Sequence, residues 1–107
     1  MSLVTAPHSL GPIARIPLGE ARVFHIEGRN VAVFRCRSGE VFATSADCPH
    51  GGGPLADGLV GSHSVICPLH GFVFDLRTGE APGRECERLI THRVAVAANG
   101  ELMLDLA

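Results

Sequence analysis

The sequence contains no lysine, tryptophan or tyrosine, and each absence narrows the range of possible functions. All nine of its cationic side chains are arginines, and they are dispersed along the chain rather than gathered in a run. A protein that follows a nucleic-acid backbone needs clustered cations, so we expect no nucleic-acid partner. Because tyrosine and tryptophan are absent, we expect no electron-transfer path through such side chains.

Long apolar runs are absent as well. No stretch approaches the roughly 20 consecutive apolar residues that a membrane-spanning helix requires, so we expect no membrane partner. Residues 1–12 lack the cationic start and apolar core that are typical of a signal peptide, which predicts a cytoplasmic location. With 107 residues, 46% hydrophobic and 19% charged, the chain is expected to form one globular domain over residues 1–107.

What remains is a pattern of short apolar strands separated by turns. Asn99-Gly100 is typical of a tight hairpin turn, and alternating segments flank it on both sides. No window keeps a 3.6-residue apolar period over three turns. The sequence therefore predicts an all-β fold, a small antiparallel sandwich or barrel. The predicted strands cover residues 13–18, 22–26, 30–36, 41–44, 72–76, 91–97 and 101–106.

Two short motifs carry the chemistry. Cys48-Pro49-His50 is followed, after sixteen residues, by Cys67-Pro68-Leu69-His70. In a reducing cytoplasm, cysteines at such spacing are more typical of metal ligands than of disulfides. Two thiolates and two imidazoles suit a zinc ion. They also suit a [2Fe–2S] cluster in which two histidines replace two cysteines on one iron.

Three features favour the cluster over zinc. Each motif supplies one cysteine and one histidine, so the two motifs can share both irons. The ligand order is Cys-His and Cys-His, whereas structural zinc sites commonly pair like ligands. Glycines follow both motifs, as Gly51-Gly52-Gly53 and as Gly71, and they allow backbone N–H groups to approach inorganic sulfides. A zinc-binding structural module without redox function stays the alternative.

A cluster bound by this set would divide its ligands by chemical type. We expect Cys48 and Cys67 on one iron, with His50 and His70 on the other. Two Fe³⁺, two S²⁻ and two thiolates then sum to zero charge in the oxidised state, which eases the addition of an electron relative to an all-cysteine site.

The pattern C-x-H…C-x-x-H resembles that of the Rieske family. The sequence His70-Gly71…Phe74-Asp75…Thr78-Gly79 extends this resemblance, which runs from about residue 13 to 106. The resemblance implies a basal Rieske-type antiparallel β sandwich. It also implies a loop-built cluster-binding subdomain, at about residues 46–76, with the two histidine ligands at an exposed tip.

The residues around the motifs predict a low reduction potential. High-potential family members carry an additional cysteine in each motif, which together form a disulfide, and hydroxyl groups near the second histidine. The matching positions here hold Gly52 or Gly53 in the first motif, and Leu69, Phe72 and Phe74 in the second. We therefore predict a potential of about −150 mV, at the low end of the Rieske range.

Within the family, residues 48–58 look most like the small subunit of NAD(P)H-dependent nitrite reductase. The ferredoxin component of an aromatic-ring-hydroxylating dioxygenase system, which shares the second motif, is the alternative. Either resemblance implies an electron-transfer component, not catalytic on its own. It would pass single electrons between protein redox partners, a reductase donor and an oxidoreductase acceptor.

The cysteines and histidines outside these motifs have simpler interpretations. Cys36 lies in an apolar predicted strand and is interpreted as a small buried hydrophobe. Cys86 lies in a polar stretch where exposure is expected. His63 falls between the two motifs, at a position typical of a surface loop.

Overall fold

A computed structural model describes residues 7–49, 51–69 and 71–107 of the chain. Nine β-strands and two 3₁₀ turns form within these residues. The strands are β1 (His8–Pro12), β2 (Glu20–Ile26), β3 (Arg29–Arg35), β4 (Val41–Ser45), β5 (Leu59–Val60), β6 (Ser64–Ile66), β7 (Val73–Asp75), β8 (Thr91–Val96) and β9 (Glu101–Asp105).

The strands form two antiparallel sheets, which confirms the predicted all-β class. Six strands pair in the order β1-β9-β8-β4-β3-β2, and three shorter strands pair in the order β5-β6-β7. A two-residue turn, Glu27-Gly28, joins β2 to β3 in the large sheet. Glu27 and Gly28 both adopt positive φ (50° and 75°), which matches the twist of the β2–β3 hairpin. The predicted turn at Asn99-Gly100 joins β8 to β9, as expected.

Strand β3 is buried on both faces and therefore separates two hydrophobic cores. Val31 and Val33 face one core, while Ala32 and Phe34 face the other. This division follows from the two-residue period of a strand, which sends alternate side chains to opposite faces. The basal core, on the Val31 side, contains Ile16, Ile26, Val31, Val33, Ala43, Leu102 and Leu104. The second core lies beneath the two cysteine motifs.

The large sheet curls so that its two edges approach each other. His8, in edge strand β1, lies 3.0 Å from a carboxylate oxygen of Glu27, at the end of the hairpin that begins with the opposite edge strand β2. The curvature wraps the sheet around the basal core and leaves the outer face of β3 for the second core.

Two expectations about local structure were wrong. Residues 13–18 were predicted as a strand, but Ile13–Arg15 is a 3₁₀ turn. Proline occurs on both sides of it, at Pro12 and Pro17, and the ring fixes φ while removing an N–H group that a strand would use. The stretch between the motifs was predicted to consist of loops, yet strands β5 and β6 form there and pair with β7.

Candidate metal centre

The first cysteine motif forms a tight loop that closes on itself. The N–H of Cys48 donates to the carbonyl of Gly53 at 2.8 Å, and the N–H of Gly52 donates to the carbonyl of Cys48 at 2.8 Å. An antiparallel bridge between Asp47 and Pro54 continues the pairing outside the loop. Residues 48–53 are therefore the tip of a short hairpin, called here the first loop.

The second motif repeats this arrangement. The N–H of Cys67 donates to the carbonyl of Phe72 at 2.8 Å, and the N–H of Gly71 donates to the carbonyl of Cys67 at 3.0 Å. Ile66 and Val73 pair directly outside it, as the last and first residues of β6 and β7. Residues 67–72, called here the second loop, thus have the hydrogen-bond frame of the first loop.

The shared frame places the two motifs in register. Each loop begins with a cysteine followed by proline, and its fifth residue is a glycine. That glycine is Gly52 in the first loop (φ 76°) and Gly71 in the second (φ 71°). Left-handed backbone at this position favours glycine, which explains why both motifs contain one there. The histidines occupy the third position of the first loop and the fourth of the second.

Both cysteine side chains lie beneath the loop tips. Cys48 is 2% exposed and Cys67 is 1% exposed, and both belong to the second core. Pro49 and Leu69, the loop residues above them, are exposed. The loops therefore enclose their thiol groups on the protein side and present Pro49 and Leu69 to solvent.

The two loops touch at Gly53. A Cβ atom built on Gly53 would lie 2.9 Å from Cys67 Sγ and 3.0 Å from Leu69 Cγ. Any larger residue at this position would push the loops apart. The resemblance left either Gly52 or Gly53 at the position of the additional cysteine in the first motif, and the contact with the second loop lies at Gly53.

Aromatic and cationic groups surround the second loop. The Phe72 and Phe74 ring centroids lie 6.4 Å apart. The guanidinium carbon of Arg84 lies 4.5 Å from the Phe72 ring centroid, within cation–π range. Asp75, at the end of β7, accepts hydrogen bonds from the Arg77 side chain, which hold the pKa of that carboxyl below its usual range.

The cysteines outside the motifs behave differently from each other. Cys36 is fully buried, as predicted, and burial raises the pKa of its thiol to about 11. Cys86 is only partly exposed and packs against the second core. His63 is exposed, as expected of a loop residue. None of the four cysteines, all within the described residues, forms a disulfide.

The described donor atoms fit a bound metal group. Two loops of matching geometry bring two buried thiols into one core, with a glycine at their contact point. The predicted ligands His50 and His70 lie outside the described residues. In the part of the chain that is described, no cluster of three or more metal-binding side chains occurs. The two cysteine thiols are the described members of the predicted ligand set.

The Rieske [2Fe-2S] domain family matches residues 7–96. The ferredoxin component of a naphthalene 1,2-dioxygenase system of Pseudomonas aeruginosa is 36% identical over 66 residues. That match spans 62% of this chain and 62% of the length of that ferredoxin.

Solved structures extend the likeness to nearly the full chain. The carbazole 1,9a-dioxygenase ferredoxin, in its complex with the reduced oxygenase, superposes with a TM-score of 0.79 at 26% identity, covering 94% of each chain. A putative NADH-dependent nitrite reductase small subunit from Mycobacterium tuberculosis gives a TM-score of 0.87 at 20% identity. It covers 98% of this chain and 99% of that one, and at this identity it shows a shared fold.

The fold and the paired cysteine loops define a ferredoxin-like iron–sulfur protein. The chain belongs to the Rieske [2Fe–2S] family, whose cofactor is a two-iron, two-sulfide cluster. This confirms the resemblance drawn from the motifs and favours the cluster over the zinc alternative. No helix among the described residues is both long and apolar enough to cross a membrane.

Proposed function

We propose that Cys48 and Cys67 ligate one iron of the cluster and that His50 and His70 ligate the other. The single observation that carries this proposal is the matched pair of loops, which places the two cysteines at equivalent positions of one hydrogen-bond frame. The cluster-binding subdomain then covers about residues 46–76, and it rests on the outer face of β3 within a single domain of residues 1–107.

The proposed function is the transfer of single electrons between proteins. When bound, a Rieske cluster accepts and returns one electron at a time. The chain's own residues hold both thiolates out of water, while Pro49 and Leu69 at the loop tips remain exposed to a partner. Electron transfer falls off steeply with distance, so a partner that docks on the tips would meet the shortest path.

The proposed acceptor is an oxygenase, and the proposed donor is a reductase. The proposal is supported by the 36% identity to a dioxygenase ferredoxin and by the 26% identity to a ferredoxin seen in complex with its oxygenase. A nitrite reductase is the second candidate acceptor. It is favoured by residues 48–58, whose C-P-H…G-G-P-L sequence resembles that of nitrite reductase small subunits. The proposed location is the cytoplasm, where cysteines that form no disulfide are stable.

The ligand proposal is tested by metal analysis and spectroscopy of the purified protein. We expect two irons and two sulfides per chain, a brown colour, and an EPR signal with average g below 2 after reduction. Cys48→Ser and Cys67→Ser should abolish the signal. The matched controls Cys36→Ser and Cys86→Ser remove cysteines outside the loops and should retain it. One zinc ion per colourless chain would refute the proposal.

The acceptor proposal is tested by rapid mixing. The reduced protein is mixed with an oxidised Rieske oxygenase and, in a separate experiment, with an oxidised NAD(P)H-dependent nitrite reductase catalytic subunit. Both partners come from the organism that supplies this chain. We expect the cluster to be reoxidised within a turnover time by the oxygenase. Rapid reoxidation by the nitrite reductase alone would assign the second candidate.

A further inference from the structure

Leu69 reaches from the second loop onto the backbone of the first. A Cβ atom at Gly53 would lie 3.0 Å from Leu69 Cγ and 3.2 Å from Leu69 Cδ1, both tighter than ordinary van der Waals contact. The absence of a side chain at Gly53 is therefore what lets the leucine rest directly on the first loop.

The same point lies beside the Cys67 sulfur. The distance from the Gly53 Cβ position to Cys67 Sγ is 2.9 Å, so the sulfur and the leucine side chain are neighbours over one glycine. Cys67 is 1% exposed, whereas Leu69 is 55% exposed. The inner half of the leucine thus covers the contact between the loops, and its outer half faces solvent.

We propose that Leu69 is a positioning residue that latches the second loop to Gly53 and keeps water from the Cys67 sulfur. The inference rests on the proposed function, because it requires Cys67 to be a cluster ligand. Two consequences follow. With Leu69 in place the two loops open less often, and release of the cluster, which requires this opening, is slower. The reduced site, which carries one more negative charge than the oxidised site, loses solvation, and this lowers the reduction potential.

The test compares single variants of the cluster-loaded protein. Leu69→Ala should shorten the half-life of visible absorption under an iron chelator by about tenfold, the loss expected for half of a buried leucine side chain. It should also raise the reduction potential, because water then reaches the sulfur. Leu69→Met, with nearly the same volume, should restore both values.

A matched control leucine is available outside the loops. Leu18 is 57% exposed, almost the same as Leu69, and precedes β2 in the basal part of the fold. Leu18→Ala should change neither the cluster half-life nor the potential. If Leu69→Ala holds no cluster, Leu69→Val is measured in its place, with the same directions expected.

An independent arm uses the glycine. Gly53 has no left-handed φ, so Gly53→Ala adds no left-handed strain and acts through its contacts with Leu69 and with the Cys67 sulfur. It should shorten the cluster half-life and change the visible circular dichroism. Gly52→Ala is the contrasting variant, because its Cβ would meet open space. Any loss of stability in that variant comes from the left-handed backbone at φ 76° and not from a contact between the loops.

The outcomes separate this inference from the proposed function. A wild-type protein without a cluster would refute the proposed function. A wild-type protein that holds its cluster, with a Leu69→Ala variant of unchanged potential, would overturn the sealing role of Leu69 and leave the proposed function standing. An unchanged half-life in that variant would overturn the latch.

Discussion

Replacement of Phe74 by alanine should destabilise the second core and release the cluster together with it. Phe74 lies in the middle of β7, is fully buried, and pairs across the small sheet with Val65. It shares one core with Cys48 and Cys67. Truncation of a buried phenylalanine costs about 3–5 kcal/mol, which is a large part of the 5–15 kcal/mol that keeps a typical domain folded.

The assay follows two signals during urea unfolding. Visible absorption reports the cluster, and far-ultraviolet circular dichroism reports the β-sheets. For Phe74→Ala we expect the loss of visible absorption to shift to lower urea by more than the loss of β structure. Leu104→Ala is the matched control, because Leu104 is fully buried in the basal core. It should cost about 2–5 kcal/mol and move both signals together.

The reasoning depends on β3 separating two cores. Equal shifts of both signals in both variants would show that the two cores unfold as one unit. A cost below about 1 kcal/mol for Phe74→Ala would refute the burial argument itself, because so small a loss is typical of substitutions at the surface.

Three further predictions concern charge and pH. Asp75→Asn should lower stability at neutral pH, because the folded-state pKa of Asp75 is depressed chiefly by the Arg77 hydrogen bond. That stability is lost as pH falls through the folded pKa, so urea midpoints of variant and wild type should converge in acid. Burial, more than nearby Arg29, lowers the pKa of His92, whose Nδ1 accepts the Ala107 N–H at 3.0 Å. Wild-type stability should therefore fall as pH drops below about 6.5, and His92→Asn, measured by the same urea midpoints, should fall less. His70→Cys should lower the reduction potential measured by voltammetry, because a thiolate adds negative charge to the site. An unchanged potential in a variant that still binds its cluster would contradict it.

Local sequence predicted most of the secondary structure and identified the candidate ligands. The strands β2, β3, β4, β8 and β9 were predicted to within two residues at each end, since apolar alternation and Asn99-Gly100 are local signals. The spacing of Cys48 and Cys67 within their motifs identified the family. Such motifs can be identified from the sequence because the residues of each motif are contiguous.

Strand β1 was missed for a physical reason. It contains Gly11 and ends at Pro12, residues that are rare within strands, and its pairing with β9 is irregular near that end. A strand of this composition is stabilised by its partner, Glu101–Asp105, which lies at the other end of the chain. The same holds for β5, which has two residues and forms by pairing with β6.

By itself the sequence determined the all-β class, the paired cysteine motifs and the glycines at the fifth position of each loop. The tertiary structure decided which residues meet across the loops. Gly53 and Leu69 are separated by fifteen residues, and no local pattern records that one rests on the other beside the Cys67 sulfur. That contact exists because two hairpins with the same hydrogen-bond frame pack side by side over one core, and packing of this kind depends on the whole fold.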